Sequence, residues 1–149
     1  MRKRTWLLIA LDNMMNTEWF FIDTHERGVI RLARFPVRGT IRTRVCRIAP
    51  GSRRAGVNVP ALCHAFFGIP QKTALQGVCV VAGPGSFSAV RSGVLVGNLL
   101  ARMVGCPLVG VSVSEGSDLS MLRAQLMAGD RPAVGYVAPV YEAEPNITC

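Results

Sequence analysis

A chain of 149 residues has the length of one domain and can bury a core of its own. Half of its residues are hydrophobic and 17% are charged, which excludes an intrinsically disordered chain, and no apolar run reaches the length of a bilayer crossing. The formal net charge of +8 sits wholly in residues 1–54, which hold 12 basic and four acidic residues, whereas residues 55–149 hold five of each.

The N-terminus sets Arg2-Lys3-Arg4 before the apolar run Trp6–Leu11. This imitates the start of a signal peptide. The run is too short, however, stops at Asp12, and lacks a small-residue cleavage site. Thr5–Leu11 is expected to be a central strand, apolar on both faces. Trp19–Ile22 reads as a second strand, Asp23–Gly28 as turn chemistry, and Val29–Phe35 as an alternating third strand, together a meander. Thr40–Ile48 alternates weakly among arginines and is either an edge strand or a mobile basic loop. Asn58 is placed to cap a short helix that holds Pro60 in its first turn and runs to about Phe67.

The most specific local pattern follows. Gly77–Ala82 is a short buried strand rich in β-branched residues. Gly83, Pro84 and Gly85 end it, and Ser86 is expected to cap a long helix through its hydroxyl. Val90, Val94, Leu95, Leu99 and Met103 recur at helical spacing until Gly105 and Pro107. Leu108–Val113 is another buried strand. Ser114 or Ser117 is expected to open a helix that ends at Gly129, and Val134–Tyr141 to be a last extended segment. This order predicts an α/β fold with a mixed sheet, a three-strand meander followed by alternating helices and strands.

Chemistry-bearing residues are few. The five cysteines form no C-x-x-C pair and their number is odd, which fits reduced thiols in a cytoplasmic protein. The Asn146-Ile147-Thr148 sequon lacks a secretory signal and reads as chance. His25 and His64 stand in no metal-binding spacing, and Gly-x-Ser-x-Gly is missing around Ser86. The turn Gly83, Gly85, Ser86 could present helix N–H groups to a phosphate, or simply join strand to helix. Arginine makes up 15 of the 17 basic residues, so an RNA-binding face including Arg31, Arg34, Arg42 and Arg44 stands beside a plain solvated face. Gly93, Gly97 and Ala101 form a small-residue face on the long helix, suited to close docking on its own sheet or on a partner helix.

Gly83-Pro84-Gly85-Ser86-Phe87, with Arg91 and Gly93, resembles the Gly-Pro-Gly-Ser-Phe-Thr-Gly-Leu-Arg-Ile-Gly junction of the bacterial tRNA threonylcarbamoyladenosine biosynthesis family TsaB. Gly105–Ser112 is similar to the segment after that family's helix, Leu11-Asp12-Asn13 stands where the family has Ile-Asp-Thr, and Val137–Tyr141 resembles its C-terminal end. The resemblance implies a single lobe, residues 1–149, of the actin-like, Hsp70-like and sugar-kinase ATPase (ribonuclease H-like) fold. Residues 133–149 then stand for the family's end, and most of the second lobe is missing.

It further implies a non-catalytic scaffold for a TsaD-like catalytic paralogue in the threonylcarbamoyl transferase complex, with a TsaE-like ATPase, tRNA met indirectly or weakly, and no membrane. No cofactor of its own is expected, ATP and Mg entering only through partners. Leu62, Phe66, Arg91, Gly93, Leu95, Gly97, Leu99, Ala101 and Arg102 would form the partner surface, and the chain could also form a homodimer. Asp12 would mark the superfamily's metal-nucleotide position, next to the glycine turn. The alternatives are a basic RNA-binding module and a degenerate nucleotide-binding phosphotransferase.

Overall fold

The computed structural model describes residues 2–15, 17–48, 58–68 and 75–142. Its centre is a five-stranded mixed sheet. The strands are β1 (Glu18–Asp23), β2 (Val29–Pro36), β3 (Arg42–Arg47), β4 (Leu75–Gly83) and β5 (Leu108–Ser112). Their order across the sheet is β3-β2-β1-β4-β5. The first three form an antiparallel meander, and β4 and β5 extend it in parallel from β1. The helices are α1 (Arg2–Met15), α2 (Asn58–Phe67), α3 (Phe87–Val104) and α4 (Leu119–Ala128).

The expected meander exists, but it is displaced by one strand. Thr5–Leu11 lies inside α1 rather than in the sheet. Trp19–Ile22 takes the central position instead, and every residue of β1 is buried because β2 and β4 flank it and helices cover both faces. Residues 5–11 therefore have no ladder to join, and their leucines and alanine are good helix formers. The described side chains of α1 stay outside the core, with Trp6 72% and Leu8 66% exposed. Thr40–Ile48 resolves as the edge strand β3, not as a loop.

Each sheet face carries its own core layer. On one, Phe20, Ile22, Ile30, Leu32, Val78 and Val80 meet Val59, Cys63 and Phe67 of α2 and Val90, Val94 and Ala101 of α3. Phe20 and Phe67 stack there with ring centroids 4.0 Å apart. On the other, Trp19, Phe21, Ala33, Phe35, Val109 and Val111 meet Leu122 and Leu126 of α4. Burying each of these large apolar side chains contributes roughly 1.5–3 kcal/mol.

The helix boundaries follow local chemistry. Gly105 closes α3 and Gly129 closes α4, both in the left-handed conformation. Asp118, rather than Ser114 or Ser117, caps α4: its carboxylate accepts from Met121 N at 3.0 Å. The two serines instead stabilise the preceding turn, Ser117 Oγ donating to the Ser114 carbonyl at 2.6 Å. By length and composition α3 could cross a bilayer. It is a core helix here, with Val90, Gly93, Val94, Gly97 and Ala101 buried against the sheet. Val134–Tyr141 forms only isolated bridges, Val134 with Leu108 and Tyr141 with Gly85, and is not a strand.

Candidate functional site

In an open sheet, the ends of the parallel strands are where loops gather reactive groups. At the end of β1, Asp23 is 2% exposed and both its oxygens are engaged. Oδ1 accepts from His25 N at 3.0 Å and meets His25 Nδ1 at 2.6 Å, and Oδ2 accepts from Arg31 Nη1 at 2.9 Å. Thr24 Oγ1 donates to the Ala89 carbonyl at 2.5 Å, tying β1 to the first turn of α3.

The glycine turn packs against this point. A Cβ on Gly85 would lie 2.5 Å from the His25 carbonyl, and Ser86 N donates to that carbonyl at 3.3 Å. Gly83 has φ +119, and a Cβ there would lie 2.1 Å from the Val140 carbonyl. Val140 N donates to Ala82 O at 2.7 Å and Glu142 N to Gly85 O at 3.1 Å, so the segment near 140 straps the turn. Gly83 and Gly85 thus serve close contact within the chain. Ser86 takes the backbone geometry of an N-cap, but its hydroxyl makes no cap hydrogen bond and is buried without a partner among the described residues. In place of the expected hydroxyl cap, Ser86 acts through its backbone, its N–H on the His25 carbonyl and its own carbonyl accepting from Val90 N at 3.0 Å.

Asp12, expected at the end of the first strand, belongs to α1, and its side chain lies outside the described residues. The acidic residue that ends the first strand is Asp23. Its triplet Ile22-Asp23-Thr24 is a literal Ile-Asp-Thr, a closer match in the sequence than Leu11-Asp12-Asn13. The Asn146-Ile147-Thr148 sequon and Cys149 also lie outside the described residues.

The small-residue face of α3 is covered by its own sheet. A Cβ on Gly93 would lie 2.2 Å from Thr24 Oγ1, one on Gly97 would lie 3.1 Å from Val80 Cβ, and Ala101 is 4% exposed. These three positions are therefore not free for a partner, because α3 uses them to approach β1 and β4. The opposite face is open. Leu95, Leu99 and Met103 are 54%, 50% and 82% exposed, with Arg91 and Arg102 beside them in solvent. Arg91 also lies over the Phe87 ring, 5.9 Å from its centroid. On α2, Leu62 and Phe66 are half-buried against the core of the chain itself.

The arginines predicted as an RNA face divide in the same way. Arg31 is spent on Asp23. Arg34 grips the carboxylate of Glu18, through Nε at 2.9 and 3.0 Å and through Nη2, and donates to the Phe66 carbonyl at 3.3 Å. Arg42 is 3.9 Å from Glu18 and mostly exposed, and Arg44 is exposed.

Burial pushes the Cys63 and Cys79 thiols up to about 12, so both stay protonated at neutral pH. No group of three or more His, Cys, Asp or Glu among the described residues could hold a metal ion.

Residues 68–137 match the family model of TsaD, the tRNA N6-adenosine threonylcarbamoyltransferase. YeaZ from Pseudomonas aeruginosa, the protein also called TsaB, superposes with a TM-score of 0.51 at 22% identity. A second structure, of an uncharacterized protein with similarity to peptidase YeaZ from Pseudomonas aeruginosa, gives 0.50 at 24%. The chain is similar in fold to both. Both superpositions cover 76% of this chain and 50% of the other, so the chain spans about half the length of these solved relatives. The fold shared with them is a mixed α/β single sheet, as expected from the sequence. No curated protein matches the chain.

Proposed function

We propose that this chain is a TsaB-like, non-catalytic scaffold of the tRNA threonylcarbamoyladenosine machinery, and that it binds a TsaD-like paralogue through the outer face of α3. The observation that carries the reading is the exposed row Leu95, Leu99 and Met103 on a helix whose other face is already docked. Such a row is suited to burial against a second apolar helix. The saturated Asp23 and the inert thiols support a supporting role rather than a bond-making one. In this reading ATP, Mg and a TsaE-like ATPase act through the paralogue, tRNA is met indirectly, and the complex is cytoplasmic.

The experiment is co-purification of the full chain with the TsaD-like paralogue of the same organism. Leu95→Asp with Leu99→Asp is expected to abolish pairing and leave the melting curve of the isolated chain unchanged, because both side chains are half in solvent. Pairing that survives the double variant removes this face from consideration. Gly97 is unsuited to this test, because a larger side chain there strikes Val80 in the core.

A further inference from the structure

We infer that β3 is a strand-addition site for an extended acidic segment of a partner protein. Among the described residues it is an edge strand, and its only neighbour is β2. Ile48 N donates to Gly28 O at 2.8 Å, which sets the phase of the ladder. In that phase the pairs Ile30–Cys46, Leu32–Arg44 and Arg34–Arg42 exchange hydrogen bonds, and Thr43, Val45 and Arg47 turn their N–H and C=O groups outward. Apart from Cys46, every side chain of β3 is exposed. The edge is thus an unused row of backbone donors and acceptors on an accessible strand.

Charge selects what can use it. Residues 27–114 contain 12 lysines and arginines and no aspartate or glutamate. Buried Glu18 and Asp23 take up Arg34 and Arg31, and Glu18 lies 3.9 Å from Arg42. Arg38, Arg44 and Arg47 have no ion-pair partner among the described residues. Charged residues on an edge normally repel a further strand. An incoming acidic strand reverses that sign. Arg42 and Arg44 project from one face and Arg47 from the other, so an incoming strand that carries carboxylates on both its faces meets an arginine on either side. A polynucleotide would use the guanidinium groups but not the outward amides, and β3 carries no aromatic residue on which bases could stack.

The probe is a short peptide of repeated Glu-Glu-Val-Val, whose carboxylates fall on both faces of a strand, titrated into the full chain by fluorescence anisotropy, with amide NMR to locate it. Saturable binding is expected, with the largest shifts at the amides of Thr43, Val45 and Arg47. Val45→Pro removes an outward N–H and no inward ladder bond, so it should weaken the peptide about tenfold or more, whereas Val45→Ala should not. Arg44→Glu with Arg47→Glu should weaken it equally without altering the melting curve, and a lysine–valine peptide should not bind. The assignment is overturned if the wild-type chain shows no saturable binding. It is equally overturned if folded Val45→Pro, checked by circular dichroism, binds like wild type, or if a single-stranded RNA binds at β3 in place of the peptide and ignores that proline.

Discussion

Single side chains here are used mostly to tie loops down. Among the described residues Asp23 and Glu18 are the buried carboxylates, and each is neutralised by an arginine of β2, Arg31 and Arg34, three positions apart. Those two arginines carry no free charge for a ligand, although their spacing in the sequence is the same as that of exposed ones. Glu115 shows how a local bond sets a proton equilibrium. Its carboxyl is held below the ordinary value of 4.5, first by the N–H of Ser112, 2.9 Å from Oε1, and then by Arg131. A carboxyl depressed in the folded state stabilises the fold above its unfolded pKa, and that contribution disappears as pH falls through the folded value. Urea midpoints measured from about pH 7 down to about pH 3 should therefore drop on the acid side, and Glu115→Gln should flatten part of that drop. An identical acid profile in the variant would show that Ser112 and Arg131 do not bias this carboxyl.

At the scale of elements, the decisive contact is α3 on the sheet. Gly93 lets the helix settle onto Thr24, whose hydroxyl reaches the Ala89 carbonyl. An alanine there would gain about 1 kcal/mol of helix propensity. Its Cβ would nevertheless fall 2.2 Å from Thr24 Oγ1, and crowding of that kind costs roughly 1–3 kcal/mol. Gly93→Ala is expected to lower the urea midpoint, and the loss should shrink in a Thr24→Ala background, where the obstructing atom is gone. A stabilised Gly93→Ala chain would contradict the close approach. The periodicity of α3 was legible because its apolar and small positions recur at helical spacing and Gly105 and Pro107 end it. Which of its two faces docks inward was not legible. Glycine and alanine on one side and leucine on the other are both compatible with burial, and only the partner surface, Thr24 and Val80, decides.

For the whole molecule, the two core layers each contain a buried thiol, Cys63 on the α2–α3 side and Cys79 in the layer under α4. Both are pushed up to about 12 by burial. Neither should react with a thiol reagent in the native state, and in denaturant both should become reactive over the same transition, because one sheet carries both layers. Separate transitions would mean that the layers open independently. The sequence by itself determined the α/β class, the β4–turn–α3–β5 unit, and the helices α2 and α4, because each has a local signature in apolar spacing, β-branched runs and glycine stops. Tertiary structure alone decided which apolar run becomes the central strand. Trp6–Leu11 and Trp19–Ile22 are equally apolar, but only the second can lie between two ladders with both faces covered, and a strand without that pairing leaves its backbone groups unsatisfied.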